Sequence, residues 1–293
     1  MMQTIHSVAE LHARLAHEKA IAFVPTMGNL HEGHLELVRI ARSRGTCTKG
    51  TQSANQQAGC GVVCVVVSIF VNPLQFGPNE DFDKYPRTLE ADCAKLQGLA
   101  DVVFAPSVGE MYPEKQTVFV EPPPIASELC GEFRPGHFRG MATVVLKLLN
   151  LVQPQVAVFG KKDYQQLAII RQMVTQFNLP IEIVGAEISR AADGLALSSR
   201  NQYLSPEERT EAAFLCQTLH GMGETLKKGG VGYVPLEQEA GAALAKRGWQ
   251  VEYVAVRRQG DLGIPQKGER QLVILVAARL GKTRLIDNVE VCL

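Results

Sequence analysis

Apolar runs and amphipathic runs take turns along the first two thirds of the chain. Stretches dense in β-branched residues occur at Ile21–Val24, Val62–Val71, Asp101–Ala105, Gln155–Phe159 and Ile181–Val184. Between them, Gly33–Arg44, Thr88–Leu99, Met141–Leu151 and Asp163–Phe177 carry apolar residues at helical spacing. Continuous apolar strands separated by helices predict a parallel sheet covered on both faces, a doubly wound, Rossmann-like α/β domain. The opening stretch "MMQTIHSVAELHARL" reads as an amphipathic polar helix and not as the apolar region of a signal peptide.

From about Glu187 the rhythm changes. "SPEERTEAAFLCQTLHGMGETL" opens with a capping box, Ser205 with Glu208, and has Pro206 at the first helical position. A second helix around Leu236–Lys246 precedes "QVEYVAVR" and "QLVILVAARLGKTRLIDNVEV", which read as short strands with turn residues between them. The expected organisation is a Rossmann-like domain over 1–186 and a smaller C-terminal α+β domain over 187–293, acting as a lid. One segment fits neither domain: "GTCTKGTQSANQQAGCG", Gly45–Gly61, has almost nothing to bury and reads as a mobile loop. A helix-to-strand connection needs only about 2–6 residues, so this one is conspicuously long.

Composition narrows the class without naming a function. Thirty basic residues against thirty acidic ones leave no net charge, so no nucleic-acid footprint is expected. The seven cysteines are scattered with no C-x-x-C pair, which favours neither a disulfide framework nor a structural zinc site. Cys47, Cys60 and Cys64 lie in or beside the long connection, but their spacing matches no ligand signature. The longest apolar run is too short to span a membrane. A reduced, cytoplasmic protein is the simplest expectation.

The chemistry concentrates at predicted strand ends. "PTMGNLHEGHLELV" (Pro25–Val38) puts a Gly-rich turn and two histidines at a strand-to-helix junction. Helix N-termini attract anions, and doubly wound sheets bind ligands beyond the carboxyl ends of their strands. Gly28 and Gly33 permit tight turning, and His31 and His34, three apart, can donate to phosphate oxygens. The motif alone also suits a metal-binding His pair or an ordinary helix start. "SIFVNPLQFGPNEDFDKYPRT" adds Asn72 and Gln75 after the second strand, and "VFGKKDYQQL" adds Gly160, Lys161, Lys162, Asp163 and Gln166 after the fourth. "GLALSSRNQYLS" brings two hydroxyls and Arg200 to the domain junction. Four polar clusters of this kind favour nucleotide phosphate binding.

These stretches, with "YPRTLEAD", "FAPSVGEMYP", "FRPGHFRGMATVVLKL" and "VAARLGKTRLIDNVEV", resemble in order the signature blocks of the pantoate–β-alanine ligase (pantothenate synthetase) family, nearly end to end. His-x-Gly-His alone would imply only the nucleotidyltransferase superfamily shared with class I aminoacyl-tRNA synthetases. The resemblance implies that ATP and pantoate form pantoyl adenylate and pyrophosphate, after which β-alanine attacks to give pantothenate and AMP. It gives Met27, Gly28, Asn29, Leu30, His31, Glu32, Gly33 and His34 to ATP, with His34 the catalytic acid and His31 and Lys162 stabilising phosphate charge. Gly160, Lys161, Lys162, Asp163, Ser189, Leu197, Ser198, Ser199 and Arg200 complete the nucleotide site. Ser189 stands where the family pattern has an apolar residue. Asn72, Gln75 and Gln166 are implied to hold pantoate beside Met27, Val144 and Val145, with Gln75 also near β-alanine. Asp92 is a candidate for Mg2+, which is expected to ride mainly on the phosphates. A homodimer is implied as well. Gly45–Gly61 looks like an insertion relative to the family. It reads as a tolerated surface loop, as sequence not native to the fold, or as an acquired function.

Overall fold

The computed structural model describes residues 1–44, 63–78, 80 and 82–293. The elements run β1 (Gln3–Ile5), α1 (Val8–Leu15), β2 (Ile21–Thr26), α2 (Glu32–Arg44), β3 (Cys64–Ile69), α3 (Leu89–Leu96) and β4 (Val102–Phe104). Next come α4 (Val108–Met111), α5 (Cys130–Phe133), α6 (His137–Val152), β5 (Val156–Gly160), α7 (Tyr164–Gln176) and β6 (Glu182–Ala186). The remainder is α8 (Pro206–Glu211), α9 (Ala213–Lys228), α10 (Tyr233–Lys246), β7 (Gln250–Arg258), β8 (Gln271–Leu280) and β9 (Thr283–Cys292).

The chain divides into two compact units. The first takes Met1–Pro122, Gly136–Gly160 and Ile170–Ala186; the second takes Pro123–Pro135, Lys161–Ile169 and Glu187–Leu293. Where the sequence reading put a single cut at Glu187, two short excursions, 123–135 and 161–169, group with the C-terminal residues.

In the first unit six parallel strands lie in the order β1-β4-β3-β2-β5-β6. This is the doubly wound sheet that the buried β-branched runs predict. Val65, Val66 and Val67 are wholly buried in β3, as are Phe23 and Val24 in β2. Val38 and Ala41 of α2 and Leu96 of α3 close over the sheet. The opening stretch is corrected: it is not one helix. Gln3–Ile5 pair with Val102–Phe104 as an edge strand. Helix α1 starts only after Ser7, whose hydroxyl caps Glu10 N–H while the Glu10 carboxylate accepts from Ser7 N–H. That capping box fixes the helix start and releases Ile5 into the sheet.

The second unit has an antiparallel sheet, β7-β8-β9. Its central strand is apolar on both faces, and the alternation sorts two packing layers. Leu272, Ile274, Val276 and Ala278 pack with Leu215, Leu219 and Met222 of α9 and Leu236 and Leu244 of α10. Val273 and Leu275, on the other face, pack with Leu129, Tyr164 and Ala168. The Ser205–Glu208 capping box opens α8 as the sequence predicts. No helix among the described residues is long and apolar enough to cross a membrane.

Candidate active site

Strand order reverses beside β2, whose neighbours are β3 on one side and β5 on the other. Such a reversal opens a crevice at the carboxyl ends of the strands. The stretch 27–31 leaves β2 there and feeds α2. Gly28 and Asn29 both take left-handed backbone conformations, with φ of 82° and 51°. The two imidazoles then pack against each other at a 38° tilt, ring centroids 4.1 Å apart. His34 Nδ1 accepts from the His31 backbone N–H (3.2 Å), and His31 Nδ1 accepts from the Gly33 N–H (3.2 Å). A neutral imidazole whose Nδ1 accepts carries its proton on Nε2, so both rings are held as Nε2–H donors. His31 precedes α2 and Gly33 lies inside it, so the turn is made by Gly28 and Asn29 and not by Gly33.

The next strand end carries the amides. Asn72 is 1% exposed and Gln75 8%. Asn72 Oδ1 accepts from Tyr112 Oη (2.8 Å) and Leu74 N–H (3.3 Å), while Nδ2 donates to Gln75 Oε1 (3.2 Å) and Gly140 O (3.2 Å). The amide's bonding capacity is therefore used within the protein, and Asn72 acts on Gln75. Burial pushes the Tyr112 phenol well above the ordinary tyrosine range, so it stays a donor. Gln75 Nε2 donates to Met27 Sδ (3.2 Å), a weak acceptor that leaves most of its donor capacity for a better one. His137 Nδ1–H donates to Gln75 O (2.8 Å) and fixes the backbone beneath. Val144 and Val145, from α6, are buried. Met27, Asn72 and Gln75 are thus brought together; Tyr112, His137 and Gly140 are members that the sequence reading missed. They lie in "FAPSVGEMYP" and "FRPGHFRGMATVVLKL", where nothing in residue type or spacing marks them as partners of Asn72 or Gln75.

In the second unit Lys161–Asp163 form a 3-10 turn ahead of α7. Lys161 Nζ binds the carboxylates of Glu187 and Glu290, and Glu290 also accepts from Tyr164 Oη (2.7 Å). Burial works against the Lys161 charge, but these two carboxylates outweigh it and hold the ammonium above the ordinary lysine value. Lys162 forms no ion pair among the described residues, so of the two it is the lysine with charge to offer an incoming phosphate. Asn288 of β9, buried, donates from Nδ2 to both Lys161 O (2.9 Å) and Lys162 O (3.1 Å). Arg190 forks onto Asp287 (2.7 and 2.9 Å) and also reaches Gly194 O and Asn288 O. It thereby ties the 189–200 stretch to the strand that supports the lysine turn. Within that stretch Leu197 N–H donates to Ser189 O (2.9 Å), and Ser198 Oγ accepts from Arg200 N–H to begin a 3-10 turn. Gln166 is half-buried on α7, whereas its neighbour Gln165 is buried and locked on Cys130 N–H, Ile125 O and Glu128 O. Asp163 is exposed, and Gly160 ends β5 in register with Ala186.

Asp92 does not fit a resident Mg2+ site. Its carboxylate is wholly buried and already accepts three protein donors, from Asn29, Leu30 and Thr88. No group of three or more His, Cys, Asp or Glu suited to a cation occurs among the described residues.

Comparison with known proteins agrees along the whole chain. The sequence profile of pantoate–β-alanine ligases matches residues 1–290. The pantothenate synthetase of Methylobacillus flagellatus is 53% identical over 290 residues, covering 99% of this chain and 98% of that protein. That of Chromobacterium violaceum is 56% identical over 292 residues, 99% of each chain. Among solved structures, pantothenate synthetase from Thermus thermophilus has a TM-score of 0.89 at 44% identity, with 100% of both chains covered. Pantoate–β-alanine ligase from Francisella tularensis, complexed with beta-gamma ATP and beta-alanine, has a TM-score of 0.76 at 34% identity, covering 99% of this chain and 97% of that one.

Proposed function

The chain belongs to the pantoate–β-alanine ligase family, and we propose that it condenses pantoate with β-alanine at the expense of ATP, through a pantoyl adenylate. A pantoate carboxylate oxygen bonds to the α-phosphorus as the α–β anhydride breaks and pyrophosphate leaves. The amine of β-alanine then attacks the acyl carbon, the acyl–oxygen bond breaks, and AMP departs with loss of an amine proton.

The observation that carries the assignment of roles is the histidine pair, two Nε2–H donors preset by backbone N–H groups at a strand-to-helix turn. Preset donors stabilise the charge that builds at the phosphate more than they stabilise bound ATP. His34 serves as the catalytic acid, and His31 and Lys162 share the phosphate charge. Residues 27–34, 160–163, Ser189 and 197–200 bind ATP, with Lys161 held back by its two carboxylates. Gln75 meets pantoate and β-alanine through Nε2 while Asn72 orients it. Gln166 supplies a second amide, and Met27, Val144 and Val145 take the geminal methyls. Magnesium carried on the ATP phosphates would supply charge neutralisation to the departing pyrophosphate. A cytoplasmic homodimer is part of this reading, with a light-scattering mass near twice 32.0 kDa.

The decisive assay supplies ATP, pantoate and β-alanine and follows AMP. AMP release that requires both pantoate and β-alanine is expected. Pyrophosphate without AMP, with β-alanine in excess, overturns the condensation.

A further inference from the structure

The loop that presents His31 and His34 is closed from beneath by a carboxylate. Asp92, on α3 and wholly buried, accepts from Asn29 N–H at Oδ2 (2.8 Å) and from Leu30 N–H at Oδ1 (2.7 Å). Thr88 Oγ1 donates to the same Oδ2 (3.1 Å). One helical turn on, Lys95 Nζ donates to Leu30 O (2.6 Å), so the peptide units on both sides of Leu30 are anchored to α3. Gly28 leaves no room above: a Cβ there would lie 3.2 Å from Asp92 Oδ2 and 3.0 Å from Ile69 Cγ2, on a backbone already at positive φ.

Two consecutive N–H groups converging on one point form a small anion-binding concavity. In a nucleotide-binding loop such a concavity invites phosphate. Here a protein carboxylate fills it, and its depth puts it out of reach of solvent. The N–H groups of Asn29 and Leu30 are therefore spent on holding shape. We propose that Asp92 is a positioning residue for the ATP site: it locks the left-handed Gly28–Asn29 turn, and through it the two Nε2–H donors, before the nucleotide arrives. The inference rests on the reading that this loop binds ATP. It also argues against the other duty suggested for Asp92, because the carboxylate is wholly buried and spends three of its acceptor positions on protein donors.

Asp92→Asn has the right shape and the wrong polarity, since its NH2 must face one of the two backbone donors. A preset loop is worth most where bound geometry matters, so KM for ATP should rise about tenfold, one lost charge-assisted hydrogen bond. KM for pantoate should stay within about twofold, because Gln75 and Met27 are held by other contacts. A merely structural residue would lower Tm while leaving both KM values of the folded enzyme unchanged, and that result overturns the proposal. A Mg2+ ligand would instead raise the Mg2+ concentration needed at saturating ATP, with recovery in excess Mg2+; that outcome overturns it too. Should Asp92→Asn fail to fold, Lys95→Met decides. It removes the second anchor of Leu30 and should raise KM for ATP about threefold with pantoate unaffected, and unchanged ATP kinetics overturn the proposal. Absence of AMP release in the unsubstituted enzyme would instead refute the functional reading itself, so the two failures are distinguishable.

Discussion

A single imidazole nitrogen sets the chemistry expected of this chain. His34 Nδ1 accepts the His31 N–H, which commits its proton to Nε2 and gives the ring a fixed direction. Replacing His34 with Ala removes that donor and also unties the His31 backbone. By comparison with the loss of one preset oxyanion donor, kcat for AMP formation should fall by about 10²-fold or more. KM for pantoate should change little, because Gln75 is oriented by Asn72 and His137 instead. Single-turnover measurement of adenylate formation tests this, and an unchanged rate removes His34 from the mechanism. The same scale explains why neighbouring residues of one type have different duties. Gln165 is locked on three backbone groups and Lys161 on two carboxylates. Gln166 and Lys162, one position later, are the members of each pair to which the proposed function gives substrate contact.

Elements meet at the site with little slack, and the contact of α6 with the 3-10 turn Pro73–Gln75 is the tightest. A Cβ on Gly140 would stand 2.0 Å from Leu74 O and 2.8 Å from Gln75 N. Both obstacles are backbone, so no side chain can swing aside. Gly140→Ala should cost about 1–3 kcal/mol as an overpacked contact, a drop of several degrees in Tm, and shift Gln75 enough to raise KM for pantoate several-fold. Calorimetry with steady-state kinetics checks it, and a variant with native Tm and native KM would show that the turn yields freely. Contacts of this kind mark the limit of what the sequence discloses. The buried runs of β2, β3 and β5 and the capping box at Ser205 are local patterns, and each is legible as written. So are the strand-end clusters around His31, Asn72 and Lys162, since they follow from where a parallel sheet binds ligands. Strand β1 is not legible: it has three residues, only Ile5 is buried, and it abuts a helical pattern. Nor are Asp92 under Asn29, Tyr112 on Asn72, or Asn288 under the lysine turn. Each joins residues 40 or more positions apart, and no periodicity in the chain encodes that pairing.

On the scale of the whole molecule, the open question in the sequence is the connection between α2 and β3. The expectation that Gly45–Gly61 is a mobile, chemically silent loop falls outside the described residues, but the flanking residues, up to Arg44 and from Val63, lie within them. Arg42, in the last turn of α2, donates to Val63 O (3.0 Å) just ahead of β3 and to Leu99 O (3.0 Å) ahead of β4. It also pairs with Asp101 (2.9 Å), whose carboxylate accepts Val65 N–H (2.8 Å). One guanidinium therefore ties the helix end to the strand start. This junction is at the amino edge of the sheet, and Asn72 follows the opposite, carboxyl edge. The six residues of β3 separate the edges by about 20 Å at ~3.3 Å per residue. Removing Thr46–Gly61 would leave Gly45 and Val62 to make the link, within the usual length of about 2–6 residues for a helix-to-strand connection. Closure entropy grows only logarithmically, by about 0.6 kcal/mol per doubling of length, so the shortened chain should be equally or slightly more stable. Its AMP release should stay within about twofold, since the geometry around His34 and Gln75 depends on contacts at the other edge. If the shortened protein keeps its Tm but loses most of its AMP release, the segment acts on the reaction directly or through a partner, and the anchoring by Arg42 is not all that the connection needs.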